Sequence, residues 1–183
     1  GIDSRTPGID VVAGYKNLIV GSGKMGFNFS GNYTIKNEID GPVKNPASVA
    51  AVNQSVIDKT QEALLFTSRP QFKLIGGAEY ELGKFGFTLN NTVFGPTKFK
   101  NAGMSNDLKV EFLTKMVTDL GINFAASDKL TLALNVNNLL NVLPEWKFKA
   151  ENAAGTAILN DPAQTRTQFN LVTFNGRYSQ MTY

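Results

Sequence analysis

The sequence predicts an all-β fold: an antiparallel transmembrane β-barrel segment with long extracellular loops. Three observations carry that expectation. Apolar and polar residues alternate with period two over six segments, near 5–20, 24–40, 70–82, 85–96, 108–124 and 130–143. Charge inside the alternating runs keeps to one side: Asp10, Lys16, Lys24, Lys36, Lys73, Glu79, Glu81, Glu111, Lys115 and Asp119 all fall on the polar face. Connections alternate short and long, with short ones at Val20–Gly23, Gly83–Lys84 and Ala125–Lys129. Short turns at one end and long loops at the other suit a membrane barrel.

The elements follow in order. Residues 9–16 set Ile9, Val11, Ala13 and Tyr15 against Asp10, Val12, Gly14 and Lys16. The cleanest run is 24–36, where Met25, Phe27, Phe29, Gly31, Tyr33 and Ile35 oppose Asn28, Asn32 and their polar neighbours. Phe72, Leu74, Ala78 and Tyr80 oppose Lys73, Glu79 and Glu81, and Phe85, Phe87 and Leu89 oppose Thr88 and Asn90. Phe112, Met116, Leu120 and Ile122 oppose Lys115 and Asp119, and Leu130, Leu132 and Leu134 oppose Thr131 and Asn135. The expected lipid-facing set is therefore Phe27, Phe29, Tyr33, Phe72, Phe87, Leu120, Ile122, Leu132 and Leu134. The expected lumen-facing set is Asn28, Asn32, Lys73, Glu79, Glu81, Lys115 and Asp119. Runs of 11–14 residues exceed the ~5–6 of ordinary strands and match the ~9–11 needed to cross hydrocarbon at a tilt. Tyr15, Tyr33, Phe72, Tyr80, Phe85, Phe124 and Trp146 lie near run ends, as interfacial aromatic girdles require.

The connections 41–69 and 145–183 read as long loops. Asn45-Pro46 opens a surface helix over 47–65, with Val49, Val52, Val56, Ile57 and Leu64 at helical spacing. The polar, Ala/Asn-rich stretch 147–168 reads as loop.

Composition removes several function classes. The 183 residues contain neither cysteine nor histidine. Disulfides, thiol nucleophiles, Cys/His zinc sites and His-based triads are thereby excluded. A net charge of +3 is too small and dispersed for nucleic acid, and no apolar run approaches the ~18 residues of a spanning helix. The opening Gly-Ile-Asp is neither an initiator methionine nor a signal peptide, so an internal piece of a longer chain is expected. Gly21-Ser22-Gly23-Lys24-Met25-Gly26 fits a nucleotide-loop spacing, but a strand follows it where a helix is needed, so it reads as a hairpin turn. Glu79 and Glu81 share a face, yet Lys73 and Lys115 share that surface too, and a charge-mixed wall explains all four. Asn-x-Ser/Thr sequons at Asn28, Asn32, Asn53 and Asn90 fall mostly in strands and read as chance. Trp146 reads as an interfacial anchor. No catalytic residue, cofactor or metal is expected.

In lipid, backbone polar groups must be satisfied internally, so a sheet survives there only as a closed barrel. Six strands cannot close around this many charges. The remainder of a larger barrel is therefore expected from outside the six. A soluble antiparallel β-sandwich acting as a carbohydrate-binding module is the alternative; it needs apolar faces that pack on each other.

Asn135-Val136-Asn137-Asn138-Leu139-Leu140-Asn141-Val142-Leu143-Pro144 resembles the Asn-Asn-Leu-Phe-Asn-x-x-Pro signature near the C-terminus of TonB-dependent outer-membrane receptors. Thr118-Asp119-Leu120, Ser127-Asp128-Lys129-Leu130, Thr6-Pro7-Gly8-Ile9-Asp10-Val11 and Asn175-Gly176-Arg177-Tyr178 are similar to flanking elements of that family, the last especially in Bacteroidetes-type members. The resemblance implies about six strands of a 22-stranded barrel in the Gram-negative outer membrane, importing a nutrient such as a glycan, peptide or siderophore. The implied partners are the remainder of the barrel and a plug domain, TonB and outer-membrane lipid; a surface lipoprotein over the loops is left open. The family's plug, TonB box, signal sequence and final strand are not found in these residues, and no binding residue is carried over. By parity Asn138 would face lipid at the outer interface, and Leu139-Leu140 break the alternation, which suggests a bend at the rim. Asn137, Asn138, Leu139, Asn141 and Pro144 thus form the expected rim motif, with the asparagines holding the start of the last loop.

Overall fold

A computed structural model describes residues 3–41, 45, 47–50, 59–100 and 104–174. Its strands are β1 (Ser4–Arg5), β2 (Gly8–Val20), β3 (Gly23–Thr34), β4 (Glu38–Ile39), β5 (Phe72–Leu82), β6 (Phe85–Phe94), β7 (Thr97–Phe99), β8 (Leu108–Phe112), β9 (Lys115–Ser127), β10 (Leu130–Val136) and β11 (Trp146–Ala150). Its helices are α1 (Ala47–Ala50), α2 (Lys59–Phe66), α3 (Ala153–Asn160) and α4 (Pro162–Phe174).

Six strands form one antiparallel sheet in the order β10-β9-β6-β5-β3-β2. Neighbours in space are successive long strands of the chain, so the sheet is an up-and-down meander. Its hairpin turns all lie at one end, at Gly21-Ser22, Gly83-Lys84 and Asp128-Lys129. Gly21 (φ 60°) and Gly83 (φ 59°) take left-handed backbone that most side chains resist. The long connections all leave the other end.

Register carries each face across all six strands, because directly paired residues share a face. One apolar row runs Tyr15–Phe27–Ala78–Leu89–Leu120–Val136 and the next runs Met25–Tyr80–Phe87–Ile122–Leu134. The polar face carries Gly14–Asn28–Gly77–Asn90–Asp119 and Asn32–Lys73–Phe94–Lys115. A bulge between Tyr15 and Leu18, with Asn17 at φ 64°, returns Leu18 to the apolar face opposite Met25.

The apolar face is bare. Ile9, Val11, Tyr15, Phe27, Phe29, Tyr33, Phe85, Phe87, Leu89, Leu130, Leu132 and Leu134 are between 37% and 60% exposed. No other element covers them among the described residues. The buried core lies elsewhere, in a cap at the long-loop end. There β7, β8 and β11 form a second antiparallel sheet in the order β11-β8-β7. Phe99, Met104, Leu108, Val110 and Phe112 are buried in it, with Trp146, Phe148, Ile158 and Leu159 packed on them.

Several expectations need correction. The run 108–124 is two strands in two sheets, broken at Leu113-Thr114, where the Leu113 N–H donates to the Glu145 carbonyl (2.9 Å). Glu111 therefore belongs to the cap and not to the polar face of the large sheet. The last long strand ends at Val136, not near 143. The stretch 147–168 is not loop; it holds most of β11, α3 and much of α4. Both helices start on side-chain caps. The Asn152 side chain accepts from the Gly155 N–H (2.9 Å), and Asp161, before Pro162, accepts from the Ala163 N–H (2.9 Å). Trp146 is no interfacial anchor: it stacks on Phe169 (centroids 5.6 Å apart) and meets Phe148 edge-on in the cap. The helix expected over 47–65 appears as α1 and α2, and residues 51–58 lie outside the described residues, as does Asn175-Gly176-Arg177-Tyr178.

Candidate functional site

Two regions of the long-loop end concentrate polar chemistry: the rim where β10 turns into the cap, and the ground between the large sheet, α2 and the cap sheet.

At the rim, the Asn138 N–H donates to the Asp119 carboxylate (2.7 Å). Its side-chain amide then closes a two-way clasp on Val142, donating to the Val142 carbonyl (3.0 Å) and accepting from the Val142 N–H (2.8 Å). The Asn141 N–H donates to the Asn138 carbonyl (2.8 Å). Both asparagines take positive φ, 51° at Asn138 and 49° at Asn141, where asparagine is tolerated better than most residues. The Leu139 N–H reaches the Thr118 carbonyl (2.7 Å), so the chain stays tied to β9 while it bends. Asn138 and Asn141 thus hold the start of the last long connection. Asn137 does not: its side chain makes no hydrogen bond among the described residues. Pro144 leads into Glu145, whose carboxylate bonds Lys115 (2.7 Å). That hydrogen bond and charge hold the Glu145 carboxyl below the usual range.

The residues expected to face lipid and those expected to face a lumen lie on opposite faces of the large sheet. Phe27, Phe29, Tyr33, Phe72, Phe87, Leu120, Ile122, Leu132 and Leu134 share the apolar face, and Asn28, Asn32, Lys73, Glu79, Glu81, Lys115 and Asp119 share the polar one. On the polar face Asn32 donates to Asp10 (2.6 Å), and Asn28 and Asn90 converge over Gly77, occupying the space its side chain would fill. The apolar face has one polar pair. The Thr118 hydroxyl donates to the Asn91 side-chain carbonyl (2.7 Å) near the loop end, so the two satisfy each other.

Above the loop end of the polar face, a cleft of about 430 Å³ is lined by Asn32, Lys36, Asn37, Arg69, Gln71 and Lys98, among others. Asn37 donates to the carbonyls of Leu65 and Phe66 (3.1 and 3.2 Å), tying α2 to the rim. Thr67 exchanges hydrogen bonds with Lys98, whose N–H donates to the Thr67 carbonyl (2.9 Å) and whose carbonyl accepts from the Thr67 hydroxyl (2.9 Å). Beyond that tie lies a second cleft of about 390 Å³, lined by Glu62, Thr67, Lys98, Phe99, Lys100, Lys109 and Glu151. Glu151 pairs with Lys100 and, at 3.3 Å, with Lys109. Burial alone would raise the Glu151 carboxyl, but hydrogen bonds and charge from Lys100 and Lys109 outweigh it and hold the group below the usual range. Sequence reasoning missed this ground, although Lys98-Phe99-Lys100 and Lys147-Phe148-Lys149 alternate as strands do. Among the described residues no acidic cluster could hold a metal ion.

No family model, curated protein or solved structure matches this chain.

Proposed function

We propose that this chain is a segment of a transmembrane β-barrel of the outer membrane, part of a TonB-dependent transporter that imports a nutrient. The observation that carries the reading is the uncovered apolar face, continuous over six meandering strands. Five of those strands have 10–13 residues. At ~3.4 Å per residue and a tilt of ~40° they rise about 26–34 Å, enough for an apolar band about 25 Å tall. Tight turns at one end and an ordered cap at the other support the same orientation, with the cap outside the cell. The outer edges of β2 and β10 have no partner strand among the described residues, and in lipid such edges must be paired. Further strands, and with them a plug, TonB and the lipid itself, are the partners this reading requires. The assignment to the TonB-dependent family rests on the rim motif, whose asparagines perform a defined task in the bend.

Fractionating the source cells tests the proposal. The expected result is a polypeptide or assembly several times longer than 183 residues, extracted from the outer membrane only by detergent. A soluble monomer of these residues, cooperatively folded without detergent, overturns it and favours a sandwich in which apolar faces meet.

A further inference from the structure

The two clefts at the long-loop end share Thr67 and Lys98, and their walls are rich in cations. Arg69 and Lys98, both exposed, have no carboxylate within ion-pair distance among the described residues. Among the described residues Lys36 pairs only with the exposed Glu38 (3.2 Å). The cap sheet extends this surface. Its register sets Lys98 and Lys147 on either side of Glu111, and Lys109 directly opposite Lys149. Directly opposed like charges weaken a sheet. Here Glu111, within 4.0 Å of Lys147 and 3.6 Å of Lys149, and Glu151 offset only part of that charge. Five lysines (98, 100, 109, 147 and 149) thus stand with two glutamates on one face, while the opposite face is the buried core.

From this geometry we infer that the paired clefts bind a soluble ligand carrying several oxyanion groups, phosphate or carboxylate, with Arg69 and Lys98 as the central contacts. Arg69 offers a planar fork suited to an oxyanion, and Lys98 a mobile point charge at the junction of the two clefts. Each cleft falls in the size range of small-molecule sites, roughly 300–1,000 Å³. Thr67, Asn32 and Gln71 add neutral hydrogen-bonding groups. The inference does not require the large sheet to lie in a membrane, because the charged walls belong to α2, the cap and the strand ends.

Calorimetric titration of the intact native polypeptide with inorganic tripolyphosphate, at low and at physiological salt, tests it. Saturable one-to-one binding that weakens with salt is expected. The Arg69→Gln/Lys98→Gln variant should bind at least about tenfold more weakly with an unchanged melting temperature, since each charge-assisted contact is worth close to a factor of ten. Glu62→Gln, which removes a carboxylate from the cleft wall, should bind more tightly, an effect no folding role produces. Lys129→Gln, at the turn end, should leave binding unchanged. Equal loss in Lys129→Gln, unchanged affinity in the double variant, or adherence to phosphatidylglycerol vesicles without saturable binding of the soluble anion overturns the inference.

Discussion

Leu89→Arg puts the membrane reading to a quantitative test. Leu89 stands on the apolar face between Ala78 of β5 and Leu120 of β9, four residues from the turn end of β6 and five from its loop end. Four residues at ~3.4 Å and a ~40° tilt place it about 10 Å along the membrane normal from the turn end, close to the middle of a ~25 Å band. The side chain is 41% exposed. If that exposure is to lipid, losing the leucine forfeits roughly 0.6–1.2 kcal/mol, the same fraction of the ~1.5–3 kcal/mol that full burial is worth. Arginine at the midplane adds about 2–4 kcal/mol, for a total near 3–5 kcal/mol. If the face is wet, a surface exchange should stay within about 0.5 kcal/mol. Guanidinium titration of the native polypeptide folded into phosphatidylcholine vesicles reads the difference. Phe85→Arg, beside the turn, should cost less than Leu89→Arg because the penalty falls toward the interface. Thr88→Arg, on the polar face at nearly the same depth, should cost less still. Equal, small effects at all three sites would refute the argument.

Three further predictions concern the cap and the rim. Gly155→Ala should destabilise the cap by about 1–2 kcal/mol: alanine favours a helix by roughly 1 kcal/mol, but its methyl would meet the Asp107 carbonyl and the Ala150 backbone, which cannot swing aside. Trp146 is the chain's one tryptophan and sits in the cap, so its fluorescence reads the melt, and a raised melting temperature refutes the clash. Asn138→Leu should cost about 2–3 kcal/mol, from left-handed backbone strain plus the lost clasp on Val142, and should open residues 137–145 to limited proteolysis; unchanged cleavage removes the rim assignment. In acid the cap should loosen. The Glu151 carboxyl is held low in the fold, so its contribution is full above the usual glutamate value of 4.5 and is lost as pH falls through the lower folded-state value. Trp146 fluorescence against pH should show that loss reduced in Glu151→Gln, and an identical profile in the variant removes Glu151 as its source.

The large sheet was legible in the sequence because period two needs only the identity of successive residues, and ladder pairing carries parity from strand to strand. Parity also hid the main error. Leu108, Val110 and Phe112 share even numbering with Met116, Leu120 and Ile122, so the two-residue break at Leu113-Thr114 left the alternation in step across two different sheets. The opposite happened at Lys16-Asn17, where the bulge changes the parity and the strand continues past the point at which simple alternation stops. The cap was legible in part. Trp146-Lys147-Phe148-Lys149-Ala150 alternates cleanly, and Asn152 and Asp161-Pro162 are helix-start signals, the latter with Gln164, whose side-chain amide also donates to the Asp161 carboxylate (2.9 Å). Polar, alanine-rich composition masked them. The paired clefts were not legible, because Arg69 and Lys98 are 29 positions apart and come to line one cleft only in the folded chain.

The two sheets use one pattern in opposite ways, and the difference lies in what is left to cover them. In the cap, a three-stranded apolar face is sealed: Leu108 and Val110 have no exposed area, and α3 packs on β11. The large sheet has six strands. At ~4.8 Å between strands and ~3.4 Å per residue its apolar face spans about 900–1,100 Å². The largest apolar patch of a typical soluble monomer is about 300–600 Å². A second layer that size would need several long apolar helices or another full sheet. The connections among the described residues supply α1, α2 and the small β1–β4 pair, none of which lies across the face, while α3 and α4 belong to the cap. Strands of 10–13 residues whose apolar side is met by no other element among the described residues are what the proposed barrel would turn toward lipid.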